Sequence, residues 1–305
     1  MTTNASNPSS VTRRGVLHTA AGTLAAGLVA GSASANTKTP VSPATGRADP
    51  HGRFAGRSVV ITGGTSGIGK ATAYAFAREG ALVAFNGRRE ALGKRNEQEI
   101  QSFGGRALYV KSDVRDEQQV EAFLDAAIAA HGRLDIVDNN AGIWIGGRAL
   151  HETNSRDFAD VNATNIDGVY FTMKHAIGRM LRQNRPGGSI VNIASIVGYR
   201  GDPASIVYAT SKGAVLQMTR NAATDYGPKN IRINSVSPGP TRTDMLRNAA
   251  RTMGLESVDA MAGSITIGRL GEPEEVARAV MWLASDEASN VHGTDLPVGG
   301  GSLLK

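Results

Sequence analysis

The chemistry available to this chain is concentrated in three side chains at two spacings. Tyr208 and Lys212 stand four apart in Tyr208-Ala209-Thr210-Ser211-Lys212, and residues four apart on a helix share one face. An ammonium below a phenol favours the phenolate and draws the tyrosine pKa down from about 10. That makes a tyrosine usable as an acid/base near neutral pH. Ser195 lies 13 positions upstream, at the end of Gly188-Ser189-Ile190-Val191-Asn192-Ile193-Ala194-Ser195. That run reads as a short buried strand delivering a hydroxyl at its carboxyl end, where it can hydrogen-bond a carbonyl or alcohol oxygen beside the tyrosine. A Tyr-x-x-x-Lys pair by itself is common, and its position after this strand is what makes it informative.

A second cluster suits a phosphate-bearing ligand. Thr62-Gly63-Gly64-Thr65-Ser66-Gly67-Ile68-Gly69 directly follows a β-branched run and opens a helical segment. Glycines there let the backbone turn tightly and approach a pyrophosphate, whose charge a helix N-terminus welcomes. Enzymes that use NAD place a carboxylate about 20 residues beyond the glycines to hold the ribose 2′-hydroxyl. Here that place reads Asn86-Gly87-Arg88-Arg89, with no acid. A guanidinium pairs with a 2′-phosphate through two parallel hydrogen bonds, so NADP is expected, with NAD the alternative. The competing reading of Arg88 and Arg89 is a solvated start to the next helix, and it applies most to Arg89.

Such residues need a frame that holds strand ends against helix starts. From residue 57 onward, short β-branched runs alternate with longer segments of helical period. Strands are expected over 58–62, 81–86, 107–111, 134–138, 189–194, 231–236 and 294–298. Helices are expected over 67–79, 89–103, 117–130, 155–183, 206–226 and 273–285. This alternation implies an α/β fold: a doubly wound, Rossmann-like parallel sheet of about seven strands with helices on both faces. Residues 53–305 form one such domain, with no internal repeat.

Composition narrows the function. Gly numbers 37 and aromatics are only 5%, which suits a βα-repeat enzyme. There is no cysteine, so disulfides, thiolate chemistry and Cys-ligated metals are excluded. The six histidines are scattered and form no metal-ligand pair, so no metal site is assigned. The net charge of +6 and pI near 9.7 come without a basic run interleaved with aromatics, so nucleic acid is not an expected partner. A modestly basic surface that welcomes phosphorylated ligands accounts for the charge.

The first residues read differently from the rest. Arg13 and Arg14 precede an uncharged Ala/Gly-rich run, Ala33-Ser34-Ala35 supplies a small-x-small cleavage pattern, and no acidic residue occurs before Asp49. Residues 1–35 resemble a twin-arginine export signal, and residues 36–52, rich in Thr, Pro, Ser, Ala and Gly, form a linker. The run is too short and too poor in large aliphatics for a stable membrane anchor. The expected location is periplasmic or extracellular, or cytoplasmic if the leader is a non-functional extension. The twin-arginine route carries folded proteins with cofactor bound, which suits a nucleotide enzyme.

The spacing T-G-x-x-x-G-x-G, Asn139-Asn140-Ala141-Gly142, Ser195, Tyr208 with Lys212, and Pro238-Gly239 fall in one order. In that order they resemble the short-chain dehydrogenase/reductase family, and within it the branch holding 3-oxoacyl-carrier-protein reductases and glucose dehydrogenases. The resemblance covers roughly residues 54–305. It implies that Tyr208 is the acid/base, that Ser195 orients the reacting oxygen, and that Lys212 lowers the tyrosine pKa and bonds the nicotinamide ribose. It implies that Asn165 holds a water for proton relay, the nearby Asn162 fitting the spacing less well. Cofactor contacts are implied for Thr62, Gly63, Thr65, Ser66, Gly67, Ile68 and Gly69 of the loop. Asp113 and Val114 would meet the adenine, Asn140, Ala141 and Gly142 the ribose side, and Pro238, Gly239, Thr241 and Thr243 the nicotinamide.

The implied activity is reversible hydride transfer between NADP(H) and a carbonyl/alcohol substrate. The alternatives are an NAD-linked alcohol or sugar dehydrogenase and a non-catalytic cofactor-sensing protein of the same fold. A homo-oligomer is implied, a tetramer pairing through the helices at 155–183 and 206–226. Residues 244–267, with Met245, Leu246, Met253, Leu255 and Met261, would form the substrate cover, unless those side chains pack lid to core. Trp144 can wall the pocket or belong to the core. Two positions depart from the family pattern: Asp138, where an aliphatic residue is usual, and Val298-Gly299-Gly300-Gly301 in place of Val-Asp-Gly-Gly.

Overall fold

A computed structural model describes Ser42 and residues 44–304. The expected leader lies outside the described residues, as does much of the linker. Seven parallel strands form the sheet: β1 (Ser58–Thr62), β2 (Leu82–Gly87), β3 (Arg106–Lys111), β4 (Ile136–Asn139), β5 (Gly188–Ile193), β6 (Ile231–Pro238) and β7 (Asp295–Val298). Their spatial order is β3-β2-β1-β4-β5-β6-β7. The central strands are apolar almost throughout because both faces are covered; Val59, Val60 and Ile61 of β1 are all fully buried.

Helices α1 (Gly67–Arg78) and α2 (Glu90–Ser102) precede α3 (Glu117–His131). The later helices are α4 (Ser155–Asn162), α5 (Gly168–Arg182), α6 (Ile206–Tyr226), α7 (Asp244–Thr252) and α8 (Pro273–Ala284). On one face Phe76 of α1, Ile100 of α2 and Val280 of α8 pack against Val59, Ile61 and Val191. On the other, Phe123 of α3, Met173 of α5 and Val215 of α6 pack against Val60, Val137 and Ile190. Strand order reverses between β1 and β4, which opens a crevice at their carboxyl ends.

One expected helix carries a π-helical turn, its backbone staying right-handed helical from α4 into α5. Within the run over 155–183 the turn lies at Ala163–Asp167. Side chains explain it: Asn165 is drawn across to the backbone of Ile143, and Thr164 bonds back to the Asp160 carbonyl at 3.0 Å. The fourth strand also starts two residues later than expected, at Ile136.

Both departures from the family pattern have a structural setting. A Cβ on Gly239 would stand 2.7 Å from the Cα of Gly299, so the loop after β6 and the end of β7 approach at backbone distance. A residue larger than glycine at 299 would press on Gly239 and Ile196. Asp138 sits in β4 in register with Ile61 and Val191, wholly buried, with neither carboxylate oxygen hydrogen-bonded. Burial raises its pKa well above the usual carboxylate range, so it is carried as the neutral acid. Nothing in the structure explains why an acid stands there.

The pH dependence of stability follows from that shift. An unfolded chain ionises Asp138 near pH 3.9 while the folded chain keeps it protonated. The contribution to stability is therefore full below pH 3.9 and declines as pH rises toward the folded-state pKa. Asp138→Val should raise stability at pH 7.5 by more than the about 1–3 kcal/mol of burying an unpaired polar group, with the gain shrinking toward that figure as pH falls to 4. Urea unfolding of both proteins at the two pH values checks this, and an equal or lower stability of the variant at pH 7.5 would show the carboxyl to be paired.

Candidate active site

The crevice is built around the end of β1. The Thr62 hydroxyl accepts hydrogen bonds from the N–H groups of Asn140 and Ala141, both at 3.1 Å. The Asn140 amide in turn donates to the carbonyls of Thr62 at 3.0 Å and Gly63 at 3.2 Å. A Cβ on Gly69 would come within 2.3 Å of that amide nitrogen, so glycine is needed where α1 passes the loop. Two supports escaped the sequence reading. Asn86 accepts from the Gly63 N–H at 3.0 Å, and Asn96 donates to the carbonyls of Gly64 and Thr65 at 3.3 and 3.1 Å. Buried asparagines inside a strand and a helix were the available signal.

Helix α1 starts without a side-chain cap on Ser66 and without an acidic residue in its first turn. Its N-terminal N–H groups and positive dipole end are thus left for a ligand, and a pyrophosphate fits them. A cleft of about 650 Å³ opens there, lined at this end by Gly63, Thr65, Ser66, Gly67 and Ile68. Thr62, Gly69 and Asn165, expected as contacts, stand behind this wall and shape it; they do not line it.

Arg88 and Arg89 both line the cleft. Arg89 is exposed at the start of α2, as weighed for it, and its guanidinium donates to the hydroxyls of Thr65 at 3.2 Å and Ser66 at 2.5 Å. Arg88 is half exposed, 3.9 Å from the Asp113 carboxylate, which also binds Arg115 at 2.6 Å. Asp113, Val114, Asn140, Ala141 and Gly142 continue the lining, and Pro238, Gly239, Thr241 and Thr243 close it.

Ser195, Tyr208 and Lys212 meet in the cleft. Ser195 follows β5, its hydroxyl donating to the Pro238 carbonyl at 3.5 Å and accepting from the Val197 N–H at 3.4 Å. Lys212 is buried, its Nζ donating to the Ile193 carbonyl at 2.7 Å and standing 5.6 Å from the Tyr208 ring centre. Asn165 accepts from the Ile143 N–H and donates to its carbonyl, both at 2.9 Å, and donates to Ser211 at 3.0 Å. It therefore clamps the turn after β4 onto α6. Asn162 takes no part in the cleft lining.

The expected lowering of the tyrosine pKa is not what this structure shows. Burial pushes Tyr208 up to about 12, with the Ser195 hydrogen bond opposing and the Asp202 charge adding. Burial likewise brings Lys212 down to about 8. A desolvated ammonium committed to a backbone carbonyl is a weak counterweight to a desolvated phenolate. Beyond the tyrosine, Trp144 forms part of the wall, as do Met245, Leu246, Met253 and Met261, whereas Leu255 lies off the cleft.

Residues 63–302 match the profile of a family described as enoyl-(acyl carrier protein) reductase. Over 251 residues, 82% of this chain and 96% of the relative, it is 39% identical to meso-2,3-butanediol dehydrogenase of Serratia marcescens. The crystal structure of levodione reductase superimposes with a TM-score of 0.79 at 35% identity, covering 83% of this chain and all of that one. The structure of ElxO with NADP bound gives 0.75 at 34%, covering 82% and 99%. This chain belongs to the short-chain dehydrogenase/reductase family, and it is an oxidoreductase of that class.

Asn86 tests how the cradle is held. Asn86→Ala leaves the Gly63 N–H without its partner, a loss of about 1–3 kcal/mol. Binding of NADPH and NADH should weaken together, by about tenfold or more, in fluorescence titrations. Unchanged affinity for both would show that the loop keeps its shape without this bond.

Proposed function

We propose that the protein transfers a hydride reversibly between NADP(H) and a carbonyl/alcohol pair, with Tyr208 as the acid/base. The observation that carries the reading is that Ser195, Tyr208 and Lys212 line one cleft whose other end suits a dinucleotide. The cofactor, when bound, supplies or takes the hydride. The N-terminus of α1 receives its pyrophosphate, and the guanidinium groups of Arg88 and Arg89 suit a 2′-phosphate. The hydroxyls of Thr65 and Ser66 already hold Arg89 toward that place.

In reduction Tyr208 donates its proton to the substrate oxygen while Ser195 hydrogen-bonds that oxygen and stabilises the charge developing on it. A phenol with a pKa of about 12 is protonated at neutral pH and ready for that step. Alcohol oxidation needs the reverse transfer, so it should gain as pH rises. Relatives whose names are those of a diol dehydrogenase and a dione reductase, and a solved neighbour holding NADP, support the assignment. A non-catalytic cofactor sensor would have no use for the assembled serine, tyrosine and lysine.

Tyr208→Phe keeps the ring and removes its proton. Turnover in an NADPH-oxidation assay over ketones, aldehydes, quinones and sugars should fall by roughly 10²–10⁴-fold, with NADPH binding nearly intact. A variant keeping more than about a third of the wild-type rate would refute the role of the tyrosine.

Arg88→Ala and Arg89→Ala separate the two cofactors. Arg88→Ala should weaken NADPH by roughly ten- to hundredfold, the worth of a charge-assisted contact, and leave NADH almost unchanged, with Arg89→Ala doing less. Equal losses for both cofactors would point to a loop defect, and no loss for either would remove the basis for preferring NADP.

A further inference from the structure

A carboxylate stands at the rim of the cleft beside the arginines, where a bound phosphate would be repelled. Asp113 follows β3 and lines the cleft together with Arg88. Its backbone is fixed: the Asp113 N–H donates to the Gln119 side chain at 3.0 Å, and its carbonyl accepts from the Asp116 N–H at 3.1 Å. Asp116 in turn caps α3, accepting from the N–H groups of Gln118 and Gln119. The start of α3 therefore holds the carboxylate at that rim.

Three N–H groups of Arg115 are committed to that carboxylate. The backbone N–H donates to Oδ1 at 3.1 Å, the turn an aspartate makes with the residue two positions on. Nε donates to both oxygens at 3.1 and 3.0 Å, and Nη2 to Oδ2 at 2.6 Å. Burial works against the charge on Asp113, yet the Arg115 bonds hold its carboxyl below the usual carboxylate range, Arg88 adding least. Arg88 stands 3.9 Å from the same carboxylate, beyond hydrogen-bond distance. It forms no other ion pair among the described residues. Arg115 itself does not line the cleft.

We infer that Arg115 is a positioning residue for cofactor choice: by occupying the Asp113 carboxylate it leaves the Arg88 guanidinium available to the 2′-phosphate of NADP(H). The inference rests on the NADP reading above. A guanidinium forked onto a carboxylate has its planar donors committed. With Arg115 removed, Arg88 is the cation left beside Asp113 and is drawn to it. The uncompensated carboxylate also repels the phosphate. NADH carries a 2′-hydroxyl at that place and feels little of either effect. All three side chains are partly exposed, so the effect is modest and grows as salt falls.

The test titrates NADPH and NADH into the full chain at low salt and reads the ratio of their dissociation constants. Arg115→Ala and Arg115→Gln should each lower the preference for NADPH by roughly three- to fivefold, the worth of a well-formed, partly exposed ion pair, with NADH almost unchanged. Asp113→Asn removes the charge that Arg115 offsets. Arg115→Ala added to it should leave the ratio where Asp113→Asn put it. In an Arg88→Ala background the Arg115 effect should likewise vanish. Equal losses for both cofactors, or none, would overturn the role given to Arg115, as would an undiminished effect beside Asp113→Asn. A ratio that Arg88→Ala leaves unchanged overturns the arginine basis of the NADP reading, and the inference with it. A ratio that falls with Arg88→Ala and stays level in both Arg115 variants overturns the inference alone.

Discussion

One hydroxyl group joins the two halves of this fold where the site must form. Thr62 ends β1, and its Oγ accepts from two consecutive N–H groups after β4. The Asn140 amide returns two bonds to the β1 end. Strand order reverses between these strands, and without a lock the loops that leave them would be free to diverge. With it, the glycine loop, the start of α1 and the turn that precedes Trp144 share one geometry. The asparagines Asn86 and Asn96 hold the loop from the other side. The cradle is thus defined by buried amides and a hydroxyl, with the glycines allowing the close approach.

The catalytic end is governed by desolvation. Tyr208 and Lys212 are drawn in opposite directions by the same burial, the phenol to about 12 and the ammonium to about 8. Both shifts favour the neutral form. The phenol is therefore held in its protonated form, and the carboxylate of Asp202 reinforces that state. Asn165 acts at one remove: its amide bonds the Ile143 backbone and Ser211 of α6, which ties the turn after β4 to that helix.

Polar groups in the sheet divide into two kinds. Asn139 and Asn192, both buried, bond each other across β4 and β5 at 2.8 Å, and Asn192 continues to Thr219 on α6 at 2.9 Å. That chain ties the sheet to the helix that bears Tyr208 and offsets most of the burial of its amides, Asn139 Oδ1 alone in the chain being left without a partner. Asp138, in the same strand as Asn139, has no such partner and stays neutral at a cost to stability.

Much of this was legible in the sequence because it depends on periodicity and local chemistry. The alternation of β-branched runs with helical segments specified a parallel sheet with helices on both faces. The glycines after the first strand, and the four-residue spacing of Tyr208 and Lys212, placed the site at strand ends. Tertiary contacts decided what spacing could not. Whether the helix over 155–183 runs regularly or carries a π turn depends on where the Asn165 amide finds partners. Arg89 stays exposed, and that its guanidinium also meets the loop depends on two hydroxyls brought near by folding. Trp144 became wall because the turn after β4 faces the cleft. The direction of the tyrosine pKa was beyond the sequence for the same reason. Spacing shows that a cation is close, while the cost of burying the charge depends on everything packed around it.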